Sequence, residues 1–152
     1  MCLSANGQKV SKMPEIRFEG LESLELSMKE IAEIPDSVKD EMLQAQAAVL
    51  VPVMRAKAQA YGLQDTGLMI DSIRPGKPKK TKSGRALFVT PQGKRRRGKQ
   101  NTRNAEIAFI GEYGTKKIKA RPFMRDAAAA AAEQVEQAAF GVYDAWLKSK
   151  NL

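Results

Sequence analysis

Twelve lysine and arginine residues, and no acidic residue, lie between Asp71 and Glu106. The whole chain has a net charge of +9, so the residues outside this segment are together mildly acidic. A cluster of cations without acids attracts phosphate groups or an acidic protein surface. The candidates for such contact are Lys79, Lys80, Lys82, Lys94, Arg95, Arg96, Arg97 and Lys99.

The chain lacks most of the residue types on which nucleophilic catalysis and metal binding commonly depend. The chain has no histidine, and Cys2 is its only cysteine. Nucleophiles activated by histidine, histidine-ligated metal sites and an intramolecular disulfide are therefore excluded. A pair of catalytic carboxylates remains chemically open, but the acids of the stretch 19–41 fit the solvated faces of helices. We expect no enzymatic activity, no cofactor and no metal site.

The hydrophobic pattern predicts one domain without a membrane span. No apolar run approaches the roughly 20 residues that a membrane helix needs, and the N-terminus has no hydrophobic signal region. We therefore expect a protein that is kept in a cytoplasm and has no membrane partner. The predicted domain covers residues 15–148, with a flexible tail at 1–14 and a short C-terminal tail at 149–152.

The basic insert, residues 74–103, allows two interpretations. The basic loops on either side of residues 86–90 lack interleaved aromatic residues on which single-stranded bases stack, and no recognised DNA-binding motif surrounds them. Contact with DNA is therefore expected to be independent of base sequence. The alternative is a solvated hairpin that keeps the protein soluble or meets an acidic partner surface.

Periodicity predicts the elements before this insert. Residues 15–20 alternate as a short strand, and residues 21–34 have the spacing of an amphipathic helix. A long helix is expected over residues 37–61. Pro52 lies inside it and predicts either a kink near Ala48 or two shorter helices that meet there. Its buried stripe is predicted to comprise Val38, Met42, Ala45, Val49, Val53, Ala56 and Ala60.

The rest of the chain alternates between predicted strands and basic loops, and then becomes helical. Thr66 is a fair N-cap for one helical turn that leads into a strand. Further strands are predicted at residues 86–90 and, as the centre of the sheet, at residues 105–114. A helix is expected from Pro122, because proline suits the first helical turn. Its apolar stripe is predicted to comprise Val135, Ala139, Val142 and Trp146.

Several short motifs follow one another in a specific order. They are Gly20-Leu21 with Leu24, Thr66-Gly67-Leu68 with Ser72-Ile73, Gly111-Glu112-Tyr113-Gly114-Thr115, and Ala120-Arg121-Pro122-Phe123-Met124. An alanine-rich stretch follows the last of them. Over residues 15–148 this order resembles the bacteriophage neck or tail-completion family, typified by gene product ten of HK-ninety-seven-type tailed phages.

The resemblance implies a fold and a role. The implied fold is α+β: a small antiparallel sheet packed against a long kinked helix and a C-terminal helix, with a basic hairpin or loop extension. The implied role is a structural virion protein that forms a ring, with six copies around the DNA channel at the head–tail junction. Expected partners are tail terminator or tail-tube proteins, head-completion or connector proteins, and double-stranded DNA contacted non-specifically. Assembly is expected in the cytoplasm of the bacterial host.

The sequence leaves two alternatives open. The basic insert is longer than the family pattern requires, so a free-standing basic module that binds nucleic acid non-specifically is the alternative function. The motifs from Gly111 to Phe123 form either a corner that serves folding alone or a contact with a neighbouring subunit. Within this corner we expect Arg121 to pair with Glu112, and three lysines, Lys116, Lys117 and Lys119, to occupy an exposed turn.

Overall fold

The computed structural model describes residues 33–63 and 67–151, apart from the side chain of Arg97. The chain divides into two compact units, Met1–Glu33 and Ile34–Leu152. The strand predicted at residues 15–20, nearly all of the helix predicted at 21–34, and Thr66 lie outside the described residues. All helices and strands of the described residues belong to the second unit.

The first described helix, α1, spans Asp36–Ala60 and is one element rather than two. Its length confirms the predicted long helix, and Pro52 lies inside it. Asp36 in the first turn and Lys57 in the last turn have the charges that suit the helix dipole. The predicted stripe is wrong at its C-terminal end, where Ala56 and Ala60 are exposed. Val38 is buried as predicted, and the other buried residues of α1 are Ala47, Met54 and Ala58.

A single helical turn, α2 (Leu68–Asp71), leads into strand β1 (Ile73–Pro75), as the sequence predicts. Gly67 precedes the turn with a φ of 73°, a conformation that favours glycine. Met69, Ile70 and Ile73 are buried, so this junction is part of the core.

The strands form three separate antiparallel pairs rather than one sheet. Strand β1 pairs with β4 (Val89–Pro91). The basic insert adds two hairpins: β2 (Lys79–Thr81) with β3 (Gly84–Ala86), and β5 (Lys94–Arg97) with β6 (Gln100–Arg103). The molecule therefore has the expected α+β fold with a basic hairpin extension. Its strands are shorter and more dispersed than the sequence predicts.

The central strand predicted at residues 105–114 is wrong, because this segment forms helix α3, Asn104–Tyr113. Asn104, Ala108 and Gly111 are buried at helical spacing. A Cβ at Gly111 would lie 3.2 Å from the Leu63 side chain, so only a small residue fits this close approach. Phe109, Ile110 and Tyr113 are exposed, whereas Ile107 packs against the core. The alternation of Ile107, Phe109 and Tyr113 with smaller or polar residues imitates the period of a strand.

The last helix, α4, spans Phe123–Ser149 and packs along α1. Pro122 occupies its N-cap position, which confirms the predicted start. Ala139 is buried and Val135, Val142 and Trp146 are half-buried, which confirms the predicted stripe. The core cluster joins all four helices and β1 through Met54, Ala58, Met69, Ile70, Ile73, Ala108, Phe123 and Ala127.

Replacing Gly141 with alanine is expected to stabilise the protein. Gly141 lies inside α4, and a Cβ there would meet no atom within 4 Å. Alanine loses less backbone entropy than glycine on folding, so we expect a gain of about 0.5–1 kcal/mol. Urea unfolding followed by circular dichroism measures this gain, and a lowered midpoint would contradict it.

Candidate binding surfaces: a basic hairpin, an aromatic helix face and a groove

The β5/β6 hairpin presents cations on one exposed face. Its register places Lys94 opposite Arg103 and Arg96 opposite Asn101. Because side chains alternate along a strand, these four residues share one face, and all four are exposed. We call Lys94, Arg96 and Arg103 the basic face. Cross-strand neighbours lie about 5 Å apart, so the three charges form a compact row that suits a polyanion.

The opposite face of the same hairpin is turned partly towards the protein. Arg95 and Thr102 lie opposite each other there and are half-buried. At the turn, Arg96 Nε donates to the Gly98 carbonyl at 3.2 Å, and Lys99 is exposed. The predicted contact residues of this hairpin are therefore divided between two faces.

The β2/β3 hairpin exposes Lys79, Lys80 and Lys82, as predicted for contact residues. Its Arg85 has a different role, because its guanidinium pairs with the carboxylates of Asp40 and, at 3.2 Å, Asp36 on α1. The hydrogen bond to Asp40 raises the pKa of Arg85 above its ordinary value. Arg85 attaches the hairpin to the start of α1. The charge pattern of the sequence does not distinguish it from the exposed cations.

Helix α3 exposes an aromatic pair to solvent. The rings of Phe109 and Tyr113 lie 4.7 Å apart, and these residues are 63% and 68% exposed. Ile110 beside them is 38% exposed. We call Phe109, Ile110 and Tyr113 the aromatic face. Large apolar side chains grouped in this way mark an interaction surface more often than isolated ones do.

The predicted pair between Glu112 and Arg121 is wrong. The Glu112 carboxylate instead accepts hydrogen bonds from the backbone N–H groups of Met124 and Arg125, at 2.8 and 3.1 Å. It thereby caps the N-terminus of α4, where unpaired N–H groups and the helix dipole favour an anion. Both the N-terminus of a helix and an arginine side chain attract a carboxylate. The spacing of the residues alone does not show which of the two lies closer to Glu112.

Arg121 joins the corner to the end of α1. Its side chain donates to the carbonyls of Tyr61 and Gly62 at 3.2 and 3.5 Å, and its N–H donates to the Gly111 carbonyl at 2.7 Å. The Thr115 hydroxyl accepts from the backbone N–H of Ile118 at 3.1 Å and so closes the lysine turn. Lys116, Lys117 and Lys119 are exposed on this turn, as predicted.

The residues of the family motifs differ in their burial and in the elements on which they lie. Pro122 is half-buried and Phe123 is completely buried, whereas Gly114 forms a sharp turn at the end of α3. Leu68 is 53% exposed on α2. The corner has a clear role in folding, and its Tyr113 belongs to the exposed aromatic face.

Tyr61 links the end of α1 to α4 through a short hydrogen bond from its hydroxyl to the Asp126 carboxylate. This hydrogen bond, together with burial and the negative charge of Asp126, raises the pKa of Tyr61 above 10.0. The folded protein therefore holds the phenolic proton more tightly than the unfolded chain does. The resulting stabilisation is present below pH 10.0 and is lost as the pH rises through the raised pKa.

Replacing Tyr61 with phenylalanine is expected to lower stability at neutral pH and to matter less as the phenol ionises. Urea unfolding of the native protein and of the variant, at neutral pH and above pH 10, measures the loss of stability at each pH. Tyrosinate absorbance provides a second measurement, because the native protein should contain a late-titrating phenol that the variant lacks. Tyr113→Phe is the control, and equal titration curves for the native protein and Tyr61→Phe would contradict the assignment.

A groove of about 510 Å³ opens at the base of the β5/β6 hairpin. We call it the root groove. It is lined by Leu68, Asp71, Ser72, Arg74, Gln92, Gly93, Lys94, Arg95 and Asn104. The sequence does not predict it, because α2, β1, β5 and α3 each contribute only one or two residues and no local motif unites them.

Within residues 33–63 and 67–151, no cluster of three or more aspartate, glutamate, cysteine or histidine residues is arranged to bind a metal ion. No helix in this part of the chain is long and apolar enough to span a membrane. Comparison of the chain with protein-family models, curated proteins and solved structures finds no match.

Proposed function

We propose that this protein is a structural virion protein of a long-tailed bacteriophage, a ring-forming adaptor that helps to join the tail to the DNA-filled head. The observation that carries the proposal is the aromatic face of α3, whose Phe109 and Tyr113 are more than half exposed beside a buried helix side. Aromatic residues of this kind are enriched in protein–protein interfaces. In a ring, each copy presents such a face to a different face of its neighbour.

The corner that follows α3 supports the same proposal by keeping this face rigid. Glu112 caps α4, and the N–H of Arg121 is hydrogen-bonded to Gly111. The aromatic face is therefore held on the two-helix body of α1 and α4. A ring subunit needs such a body, because a small error in each interface accumulates around a closed ring.

The basic hairpins support the part of the proposal in which one surface of the ring faces a polyanion such as DNA. Repeated around a ring, the basic face would produce a collar of positive potential. Such contacts with phosphate groups carry no base specificity, so DNA can move past them. The order of the motifs from Thr66 to Phe123 is the further support, through the family resemblance.

The proposal is tested by the assembly of the purified protein, alone and with the tail-tube protein of the same phage. Mass photometry and negative-stain microscopy should show rings. Phe109→Ser combined with Tyr113→Ser should abolish them while the circular dichroism spectrum is kept. A native protein that stays monomeric under all conditions and never joins tails would contradict the proposal.

Phe140→Ser is the matched control for assembly. Phe140 lies on α4 and is 63% exposed, the same fraction as Phe109. Its replacement removes one aromatic side chain as exposed as Phe109 from a different surface, so rings should persist. Loss of rings in both variants would show that the aromatic face has no special role.

The second candidate is a free-standing basic module that binds nucleic acid. The exposed row of Lys94, Arg96 and Arg103 favours it, because this row needs no assembly to reach a phosphate backbone. It requires tight, salt-dependent binding of duplex DNA by the monomer. Fluorescence anisotropy at a concentration below that of ring formation distinguishes the two candidates.

A further inference from the structure

Phe88 is an exposed aromatic residue within the basic insert. It directly precedes β4 and is 61% exposed, whereas the sequence predicts it inside a strand of the sheet. The N–H of Gly76 donates to the Phe88 carbonyl at 2.8 Å, so these two residues extend the β1/β4 pair by one position. Gly76 has no side chain with which to cover the ring from the opposite strand. The structure therefore presents an aromatic ring to solvent where the charge pattern alone shows only cations.

The strand register assigns Phe88 to the solvent side of the β1/β4 pair. Ile73 is buried and Val89 packs against the core, so their side of the pair faces the protein. Arg74 and Thr90 lie opposite each other at the next position, and both are exposed. Because side chains alternate along a strand, the residues at these alternate positions share the side turned to solvent. We call them the outer face: Arg74, Gly76, Phe88 and Thr90.

The root groove connects the outer face with the basic face. Arg74 of the outer face and Lys94 of the basic face both line this groove. Diagonal neighbours in an antiparallel pair lie about 7–8 Å apart, so Arg74 is also close to Phe88. Among the described residues that line the groove, Asp71 is the only acid, and the two cations outweigh it. A row of cations therefore runs from the basic face past Arg74 towards the Phe88 ring.

The surroundings of Phe88 fit a nucleobase better than a protein surface. The aromatic face of α3 groups three large apolar side chains, as protein interfaces do. The other residues of the outer face are instead a glycine, a threonine and an arginine. Single-stranded nucleic acid is bound by such a combination, since its phosphates follow a row of cations while a base stacks on an aromatic ring. A duplex keeps the faces of its bases inside the stack.

We propose that Phe88 stacks on an unpaired base of a single-stranded nucleic acid, whose phosphates contact Arg74 and the basic face. This inference goes beyond the proposed function, which needs contact with the backbone of duplex DNA alone. It does not rest on ring formation, because all of these residues belong to one copy.

Fluorescence anisotropy of the full-length protein with a labelled oligodeoxythymidine, at several salt concentrations, tests the site. Phe88→Ala should weaken binding about tenfold, which is within the range of one stacked base. The salt slope should stay unchanged, because Phe88 carries no charge. Phe88→Trp should keep the affinity, since it retains an aromatic ring. A native protein that does not bind the oligonucleotide, or a Phe88→Ala variant that binds it as tightly, would overturn the proposal.

Two further variants separate stacking from apolar contact. Phe140→Ala is the matched control, because Phe140 lies on α4 and is 63% exposed. Its affinity for the oligonucleotide should stay within about twofold of the native value, since no stacked base is lost. Phe88→Leu keeps an apolar side chain but removes the ring, so it should lose about as much affinity as Phe88→Ala. Native affinity in Phe88→Leu would show apolar contact in place of stacking and would overturn the proposal.

An abasic strand of the same length tests whether the base is the contacted group. The native protein should bind this strand about tenfold more weakly than the oligodeoxythymidine, whereas Phe88→Ala should bind both alike. Duplex DNA should bind to the native protein and to Phe88→Ala with affinities within about twofold of each other. Equal native affinities for the two single strands would overturn the proposal, as would a tenfold loss on duplex DNA.

Mass photometry of Phe88→Ala separates this inference from the proposed function. Ring formation should be the same as in the native protein. Loss of rings with an unchanged affinity for the oligonucleotide would assign Phe88 to a protein contact and overturn the inference. Rings of a protein whose binding does not depend on the base would contradict this inference alone. Base-dependent binding by a protein that never forms rings would support it and contradict the proposed function.

Discussion

Replacing Gly114 with alanine is expected to lower the free energy of unfolding by several kcal/mol. Gly114 has a φ of 71° and a ψ of −176°, a backbone region that only glycine adopts readily. A Cβ there would lie 2.6 Å from the Ile118 carbonyl oxygen and 2.7 Å from the Ala120 nitrogen. Backbone strain of about 1–3 kcal/mol adds to an overpacking cost of about 1–3 kcal/mol. Urea unfolding measures the sum.

Gly98→Ala is the control for this experiment. Gly98 also has a positive φ of 61°, but a Cβ there would meet no atom within 4 Å. It should therefore lose only the conformational term, about 1–2 kcal/mol. If both variants lose the same stability, the close contact of a Cβ at position 114 with the backbone of Ile118 and Ala120 does not contribute to the loss. A Gly114→Ala variant as stable as the native protein would contradict the tight geometry of the corner.

Neutralising the basic face is expected to have the largest effect on DNA binding. The change is the triple variant Lys94→Gln, Arg96→Gln and Arg103→Gln. Each phosphate contact adds about 0.9 to the slope with which log K falls as log salt concentration rises. The loss of three contacts should therefore lower the affinity about 500-fold at about 0.1 M salt. Fluorescence anisotropy with duplex DNA at several salt concentrations should show this loss and a slope that is smaller by about 2.7.

The lysine turn provides a control with the same change in net charge. Lys116, Lys117 and Lys119 are all exposed, and their replacement by glutamine should leave most of the affinity and the slope unchanged. Equal losses in both triple variants would mean that binding follows net charge and not the hairpin. An unchanged affinity of the hairpin variant would favour an acidic protein partner for the basic face.

Helices were the most predictable part of the fold. The long helix α1, the turn α2 and the helix that starts after Pro122 each have a periodic pattern or a recognisable start. Helix α3 was not predicted, because its buried side consists of small residues while Phe109 and Tyr113 face solvent. A pattern rule that assigns large apolar residues to the core fails where two elements approach so closely that only Ala and Gly fit.

The candidate surfaces were predictable in position but not in detail. Charge density located the basic insert, yet it did not separate Arg85, which is bound to Asp40, from exposed neighbours such as Lys80. Strand register divided Arg95 from Arg96, and register depends on hairpin turns that the sequence did not predict. The root groove was not predictable, because its residues meet only after folding.

The three two-stranded sheets leave strand edges without a partner in the described part of the chain. Unpaired edges bind other strands, and lysine or arginine on them is a common protection against aggregation. The β2/β3 and β5/β6 hairpins carry their positive charge on such edges. This charge therefore disfavours edge-to-edge pairing between the hairpins of two copies of the chain.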